Sequence, residues 1–421
     1  MKVPKVSIVL TSYNHEKYIG DSIKSVLNQT YEDYELIIAD DCSEDNSWDI
    51  ITAFKDPRIK AYRSDRNERV LINKVLSNGM ATGDFVAIHH SDDLWESTKL
   101  EKQVKFLDNN QDIGAVFSRA KIVDSIGNIL KFTDGQNPTI DTYLKIFCQG
   151  NRSREEWLAH FFYYGNCLCH PSLLIRSNCY RDIGLYNLFY RQLPDLDYWI
   201  RLCRKYEIHI LEEELVRFRI IENNGNTSSL TPETRRRGSY EFLQILKNYE
   251  DISDAEEIQK IFPQARKYNG TINSNSGYLL SRVAFDSHSL EANLFGMQLL
   301  GEKMRSQDFR ESCETLHGFT LDDYHALIGS VDLFKTERIS MLETEVSMLE
   351  RKIIEHNRSA EAQGNVINAL SEKNNLLLVK ISDMTQSKSW KITAPLRKLD
   401  NSIKNKLKSK LNSPKKQSTL Y

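Results

Sequence analysis

The sequence predicts an α/β domain with a mainly parallel sheet, followed by a helical region and a C-terminal coiled coil. Three patterns predict this. Short apolar, β-branched runs at Val6–Leu10, Tyr34–Ala39, Phe85–Ile88 and Ala115–Phe117 alternate with helical patterns at Tyr18–Asn28, Ser47–Phe54, Val70–Met80 and Lys99–Asn109, the order of strands and helices that builds a parallel sheet. Residues 231–335 are mostly helical, with breaks at Pro263 and near Asn269–Gly270. A heptad repeat then runs from Ile339 to Met384. The strands are almost continuously apolar, as in a sheet covered on both faces. Such sheets bind ligands beyond the carboxyl ends of their strands. The residues to weigh are therefore Thr11–Asn14, Asp40–Asp41 and Ser91–Asp93.

The chain has 421 residues, too many for one ordinary core. The expected division is 1–230 for the α/β domain, 231–335 for a helical accessory region in which no chemistry is legible, 336–386 for the coiled coil and 387–421 for a basic tail. The formal net charge of -2 names no partner. It is unevenly spread, however: Gln386–Tyr421 carries ten Lys or Arg against one acidic residue, while the rest holds 46 basic and 57 acidic groups. Seven cysteines at irregular spacing make no disulfide framework and point to a reducing compartment. The start has no secretory pattern, and no apolar run reaches the roughly 18 residues of a spanning helix. The expected location is cytoplasmic, at the inner face of the cell membrane.

Asp92–Asp93 follows the strand Phe85–Ile88 directly. Paired carboxylates on such a loop suit a hard divalent cation, Mn²⁺ or Mg²⁺, that also ligates phosphate oxygens. Taken alone, a helix cap explains them better. Cys167-Leu168-Cys169-His170 is not read as a zinc site, since no second pair stands at finger spacing. Neither a nucleic-acid module nor an aromatic platform is visible.

Five segments in order change the balance. Val6–Asn14, Ser25–Tyr31 with Tyr34–Ser43, Gly83–Ile88 with Ser91–Trp95, His170–Arg176 and Asp195–Leu202 together resemble the family-2 glycosyltransferases, bacterial surface-polysaccharide enzymes among them. The resemblance fades after Arg219. It implies the GT-A fold of nucleotide-diphospho-sugar transferases and an inverting transfer, with a metal at the diphosphate. Carried over residue by residue, Thr11, Tyr13 and Asp41 would meet the nucleobase. Asp92 would contact ribose or metal, and Asp93 would bind the metal. Asp195 would be the base, with Asp197 second. The sequence departs from the family pattern at His90, where an acidic residue often stands two places before Asp92. It departs again at Pro194, just before the base, and at Ile72, where an Arg is common. Arg66 or Arg69 is left to serve the diphosphate. The implied substrates are a nucleotide-sugar donor, UDP-linked by preference, and a saccharide or lipid-linked saccharide acceptor.

The heptad core runs Ile339, Leu342, Val346, Leu349, Ile353, His356, Ala360, Gln363, Ile367, Leu370, Asn374, Leu377, Ile381 and Met384. β-Branched residues at a and Leu at d predict a parallel homodimer, with Asn374 fixing register. In the tail, Trp390 precedes Leu399, Ile403, Leu407 and Leu411 among lysines. That is a basic amphipathic pattern suited to peripheral contact with an anionic membrane; a solvated charged tail is the plain alternative. Two other functions stay open on sequence alone. A nucleotidyltransferase would share the sheet, but its Gly-rich, Lys-bearing loop is replaced here by Thr11–Asn14. A non-catalytic sugar-nucleotide scaffold is supported by His90 and Pro194 alone.

Overall fold

The computed structural model describes residues 3–221, 225–226, 228–229, 231–268, 275–332, 336–358 and 364–386. Residues up to Phe319 form one compact unit, and those from Thr320 onward form a second. The expected boundary at 230/231 falls inside the first.

The first unit is built on eight strands: β1 (Val6–Ser12), β2 (Tyr34–Asp40), β3 (Ile59–Arg63), β4 (Phe85–His90), β5 (Leu94–Trp95), β6 (Ile113–Val123), β7 (Leu174–Arg176) and β8 (Glu207–Arg219). They form one sheet in the order β3-β2-β1-β4-β7-β6-β8-β5. β1 pairs in parallel with both β2 and β4, β2 with β3, and β6 with β8. The short β7 and β5 run antiparallel to their neighbours. The four apolar runs of the sequence are thus β1, β2, β4 and the first half of β6. All seven residues of β2 are buried, as a strand covered on both faces requires. The chain leaves β1 first toward β2 and later returns on its other side as β4, so β1 is the switch point where such sheets open a crevice. Gly83 lets β4 start close to β1: a Cβ there would lie 2.7 Å from the Ser7 amide nitrogen.

Helices α1 (Ile19–Leu27), α2 (Ser47–Ala53), α3 (Leu71–Ser77) and α4 (Lys99–Asn109) follow the first strands where the helical patterns place them. Ile19, Ile23 and Val26 of α1 and Leu100, Val104 and Leu107 of α4 recur at helical spacing and enter the sheet's core. Then come α5 (Pro138–Ile146), α6 (Arg154–Tyr164), α7 (Ser177–Ile183) and α8 (Pro194–Cys203), the last before β8. The accessory region supplies α9 (Pro232–Ile245), α10 (Ala255–Ile261), α11 (Ser276–Phe285), α12 (Leu290–Lys303) and α13 (Gln307–His317). α10 packs on α6, and α9 on α12.

The second unit holds α14 (Leu321–Gly329), α15 (Thr336–Arg358) and α16 (Gly364–Gln386). The heptad positions fall on two helices, α15 and α16, that pack on each other. Each helix is about 34 Å long at 1.5 Å per residue. The link from Arg358 to Gly364 reaches at most about 22 Å, so the two must run antiparallel. The seam positions are the buried ones: Ile339, Leu342, Val346, Leu349, Asn374, Leu377 and Ile381 are each at most 5% exposed. Within the chain, Leu342, Val346 and Leu349 of α15 meet Leu377 and Ile381 of α16. The side chains of Ile353, His356, Ala360, Gln363 and Ile367 lie outside the described residues, as does the basic tail from Ser387 onward.

Asn374 now sits inside the hairpin, and its Oδ1 is buried without a hydrogen-bond partner. Replacing such a group with an apolar one of similar shape removes a desolvation cost of about 1–3 kcal/mol. Asn374→Leu should therefore raise the melting temperature of the helical hairpin, followed by far-UV circular dichroism on the whole protein. A lower one would contradict the buried placement.

Candidate active site

The loops beyond β1, β2 and β4 share one rim because those strands are adjacent and in register. Thr11 pairs with Ala39 on one side and with His90 on the other. Thr11 is partly buried and Tyr13 is 41% exposed, so both face accessible space. Asn14 takes a left-handed conformation (φ 52°). Its amide donates to Ser43 Oγ at 2.9 Å and its Oδ1 accepts from the Glu44 amide at 2.8 Å, tying the first loop to the second. Asp41 is buried, and its carboxylate accepts the amides of Glu68 and Arg69 at 2.8 and 2.7 Å. Asp41 therefore holds the strained turn at Arg69 (φ 56°) in place. Thr11, Tyr13, Asp41 and Arg69, far apart in sequence, are gathered around the carboxyl ends of β1 and β2.

The acidic loop lies next to them. One oxygen of Asp93 accepts the Arg219 amide at 2.8 Å. The other is buried with no hydrogen-bond partner and lies 3.6 Å from His90 Nδ1. Arg219, at the end of β8, also donates from Nε to the Asp92 carbonyl at 2.7 Å and from Nη1 to the Ser125 carbonyl at 2.9 Å. This fixes the loop. Asp92 Oδ2 accepts from Asn226 Nδ2 at 3.2 Å. Burial, and then the charge of Asp93, pushes the Asp92 carboxyl well above the usual range. Burial pulls His90 down, but Asp93, Asp92 and Asp195 together outweigh it and hold the imidazole above its ordinary value.

Ligand atoms of His90, Asp92 and Asp93 lie within 4.8 Å of one another, and this is the one such group among the described residues. Its donor set fits a divalent cation: one buried carboxylate oxygen free of other partners, a second carboxylate beside it, and a nitrogen ligand that Mn²⁺ accepts more readily than Mg²⁺. His90 therefore stands where the family pattern often has a carboxylate, and it joins the cluster.

Asp195 and Asp197 stand two apart in the first turn of α8, on nearly opposite faces. Asp195 accepts from Asn166 Nδ2 at 2.6 Å, and its charge reaches His90. Burial raises its carboxyl to about 6, against the opposing bonds from Leu196 and Asn166. Asp197 is committed elsewhere. It accepts from Arg201 Nη2 at 2.7 Å and from Asn248 Nδ2 at 2.9 Å, on the side away from Asp195. Between α8 and the acidic loop, His170 stands 5.1 Å from His90, ring to ring, and bonds Tyr186 Oη at 2.9 Å. Burial holds His170 well below its usual value and so neutral. Trp199 is fully buried, a core residue.

A buried carboxylate with a raised pKa thus lies within electrostatic reach of a His-Asp-Asp cluster whose donor set fits a cation, at the switch point of a parallel sheet. The glycosyl transferase family 2 model matches residues 7–176. EpsE of Bacillus subtilis (strain 168), a putative glycosyltransferase, is 30% identical over 228 residues, covering 51% of this chain and 73% of its own. The chain belongs to glycosyl transferase family 2. Its sheet is that of a GT-A domain. The family model's match ends at Arg176, before Asp195. An uncharacterized glycosyltransferase of Methanocaldococcus jannaschii is 29% identical over 267 residues, 62% of this chain and 86% of its own. The Escherichia coli enzyme WfgD, a UDP-Glc:alpha-D-GlcNAc-diphosphoundecaprenol beta-1,3-glucosyltransferase, is 35% identical over 140 residues, 33% of this family-2 chain and 55% of its own. Among solved structures, S. aureus TarS 1-349 covers 77% of this chain and 90% of its own at 16% identity and a TM-score of 0.45.

Arg219, Asn166, Asn226 and Tyr186 are site residues that sequence reasoning missed. Arg219 appears there only as the point where the resemblance fades. Asn166 and Asn226 stand in loops with no local pattern to mark them. Their roles arise from contacts across 29 and 134 positions of sequence.

Proposed function

We propose that this family-2 glycosyltransferase moves a sugar from a UDP-linked donor to a saccharide or lipid-linked saccharide acceptor in surface-polysaccharide synthesis, with inversion at the anomeric carbon. One observation carries the site assignment: the only buried carboxylate oxygen of the acidic loop without a bond, Asp93 Oδ2 among the described residues, faces the same space as Asp92 and His90. On this reading Thr11, Tyr13 and Asp41 receive the nucleobase, Arg69 the diphosphate, and Asp92, Asp93 and His90 a divalent cation. That cation, Mn²⁺ or Mg²⁺, offsets the charge of the departing diphosphate. Asp195 takes the acceptor's proton as the hydroxyl oxygen bonds to the anomeric carbon and the carbon–diphosphate bond breaks. The acceptor half of the proposal is supported by WfgD, whose name specifies a diphosphoundecaprenol acceptor.

No described helix is long and apolar enough to cross a membrane. On the same proposal, the tail 387–421 holds the enzyme at an anionic membrane surface through its ten cationic side chains. Flotation with anionic liposomes should lose the protein on removal of Ser387–Tyr421; unchanged binding would leave the tail as solvated charge.

The raised Asp195 carboxyl gives a pH test. A base works in its ionised form, so transfer at saturating donor should fall as pH drops through about 6. An acid limb centred near the ordinary carboxylate value of about 4 would contradict Asp195 as that base. Direct transfer from UDP-sugars to a diphosphoundecaprenol-linked saccharide, read by product mass, tests the reaction itself.

A further inference from the structure

The helical accessory region, mute in sequence, reaches the active site through one side chain. Glu241, on α9, is 3% exposed. Its Oε1 accepts the amide of Arg191 at 2.9 Å, and its Oε2 accepts those of Gln192 and Leu193 at 2.7 and 2.9 Å. Three successive backbone N–H groups converge on one buried carboxylate. These are the last residues before α8, which opens with Pro194 and Asp195. Leu193, the residue capping that helix, has no side-chain oxygen to offer, and Pro194 has no N–H. A negative charge from another helix sits where the helix N-terminus favours one. Arg237, one turn earlier on α9, reinforces the contact by donating to Gln192 Oε1 at 2.6 Å. The other end of this loop is fixed separately: Asn73 of α3 donates to the Tyr186 carbonyl at 2.7 Å and accepts from the Tyr186 amide at 3.2 Å.

We infer that Glu241 is a positioning residue for catalysis, clamping residues 191–193 so that α8 aims Asp195 at the acceptor hydroxyl. The inference rests on the reading of Asp195 as the base. Burying a carboxylate is costly unless several donors meet it, and here the donors are backbone groups whose placement sets the direction of the next side chain. The hydrogen bonds that hold Asp41, Asp92 and Asp93 come from Glu68, Arg69, Asn226 and Arg219, none of them on α9. The accessory region then acts as the rigid backing of the base, and cutting it away would remove the clamp.

The test is a double-mutant cycle on the full-length protein. Glu241→Gln keeps the size but replaces one acceptor oxygen by an NH₂ that opposes the facing N–H groups. Its kcat should fall about 10- to 100-fold, the range expected of a base displaced by about 1 Å, while donor KM and UDP affinity stay within about twofold. In an Asp195→Asn background the same change should cost less than about threefold, because a residue acting through another loses its effect when that other is gone. A folded Glu241→Gln protein with full kcat overturns the inference, and so does an equal loss in both backgrounds. If Glu241→Gln does not fold, Glu241→Asp, which keeps the charge on a shorter stem, takes its place in the same cycle under the same criteria. Full activity in Asp195→Asn alone refutes the reading of the base beneath it; a slow Asp195→Asn with an unaffected Glu241→Gln refutes only the clamp.

Discussion

Asp93→Ala should give a folded protein that transfers sugar at least about 100-fold more slowly, a loss on the order of 3 kcal/mol in the transition state. The carboxylate removed has one oxygen on the Arg219 amide and the other free in the site. Losing the first leaves the buried Arg219 amide without its acceptor, about 1–3 kcal/mol of stability, while Arg219 still holds the loop through the Asp92 and Ser125 carbonyls. Losing the second leaves the departing diphosphate short of its counter-charge, which weighs most when that charge is largest. Initial rates with saturating UDP-sugar and Mn²⁺, beside circular dichroism spectra of both proteins, separate the two effects. A folded Asp93→Ala protein with ordinary turnover would remove Asp93 from the site.

The two carboxylates of α8 should separate as cleanly. Asp195→Asn keeps the shape but loses proton affinity, and it keeps only one of the two oxygens that accept from Asn166 and Leu196. Transfer should drop about 10²- to 10⁴-fold, with UDP binding unchanged. Asp197→Asn has a different signature. It removes the charge facing Arg201 in a partly buried pair 2.7 Å apart; breaking a fully buried pair costs about 3–5 kcal/mol, and the partial exposure of Arg201 makes the loss here smaller. The expected result is a lower melting temperature with near-normal turnover of the folded fraction. Calorimetry and initial rates on both variants decide it. A stable, inactive Asp197→Asn beside an active Asp195→Asn would reverse the assignment.

The choice between these two residues marks where the sequence stops being informative. Both lie in the segment that resembles the family's base motif, and only the helix, with Asn166 on one face and Arg201 with Asn248 on the other, separates them. The first strands and helices were legible because their apolar runs are long and their polar ends abrupt. β5 and β7, two and three residues long, offer no period to read; β5 forms against β8, and β7 between β4 and β6. β8 was hidden for another reason: its exposed Glu212–Glu214 interrupts the apolar pattern midway. The C-terminal helices show the converse. Heptad spacing named the buried positions, but the identities at a and d cannot tell a second chain from the same chain returning. Glu241 carries no motif, since its role exists only once α9 lies against the loop before α8.

The central claim, a cation-assisted nucleotide-sugar site at Asp92, Asp93 and His90, is tested most directly by thermal shift of the purified full-length protein with UDP, GDP, ADP and dTDP, each with and without Mn²⁺. The account predicts that UDP raises the melting temperature, that Mn²⁺ enlarges the rise, and that Asp93→Ala abolishes the enlargement. Stabilisation by none of the four, or a Mn²⁺-dependent shift that survives intact in Asp93→Ala, would contradict it.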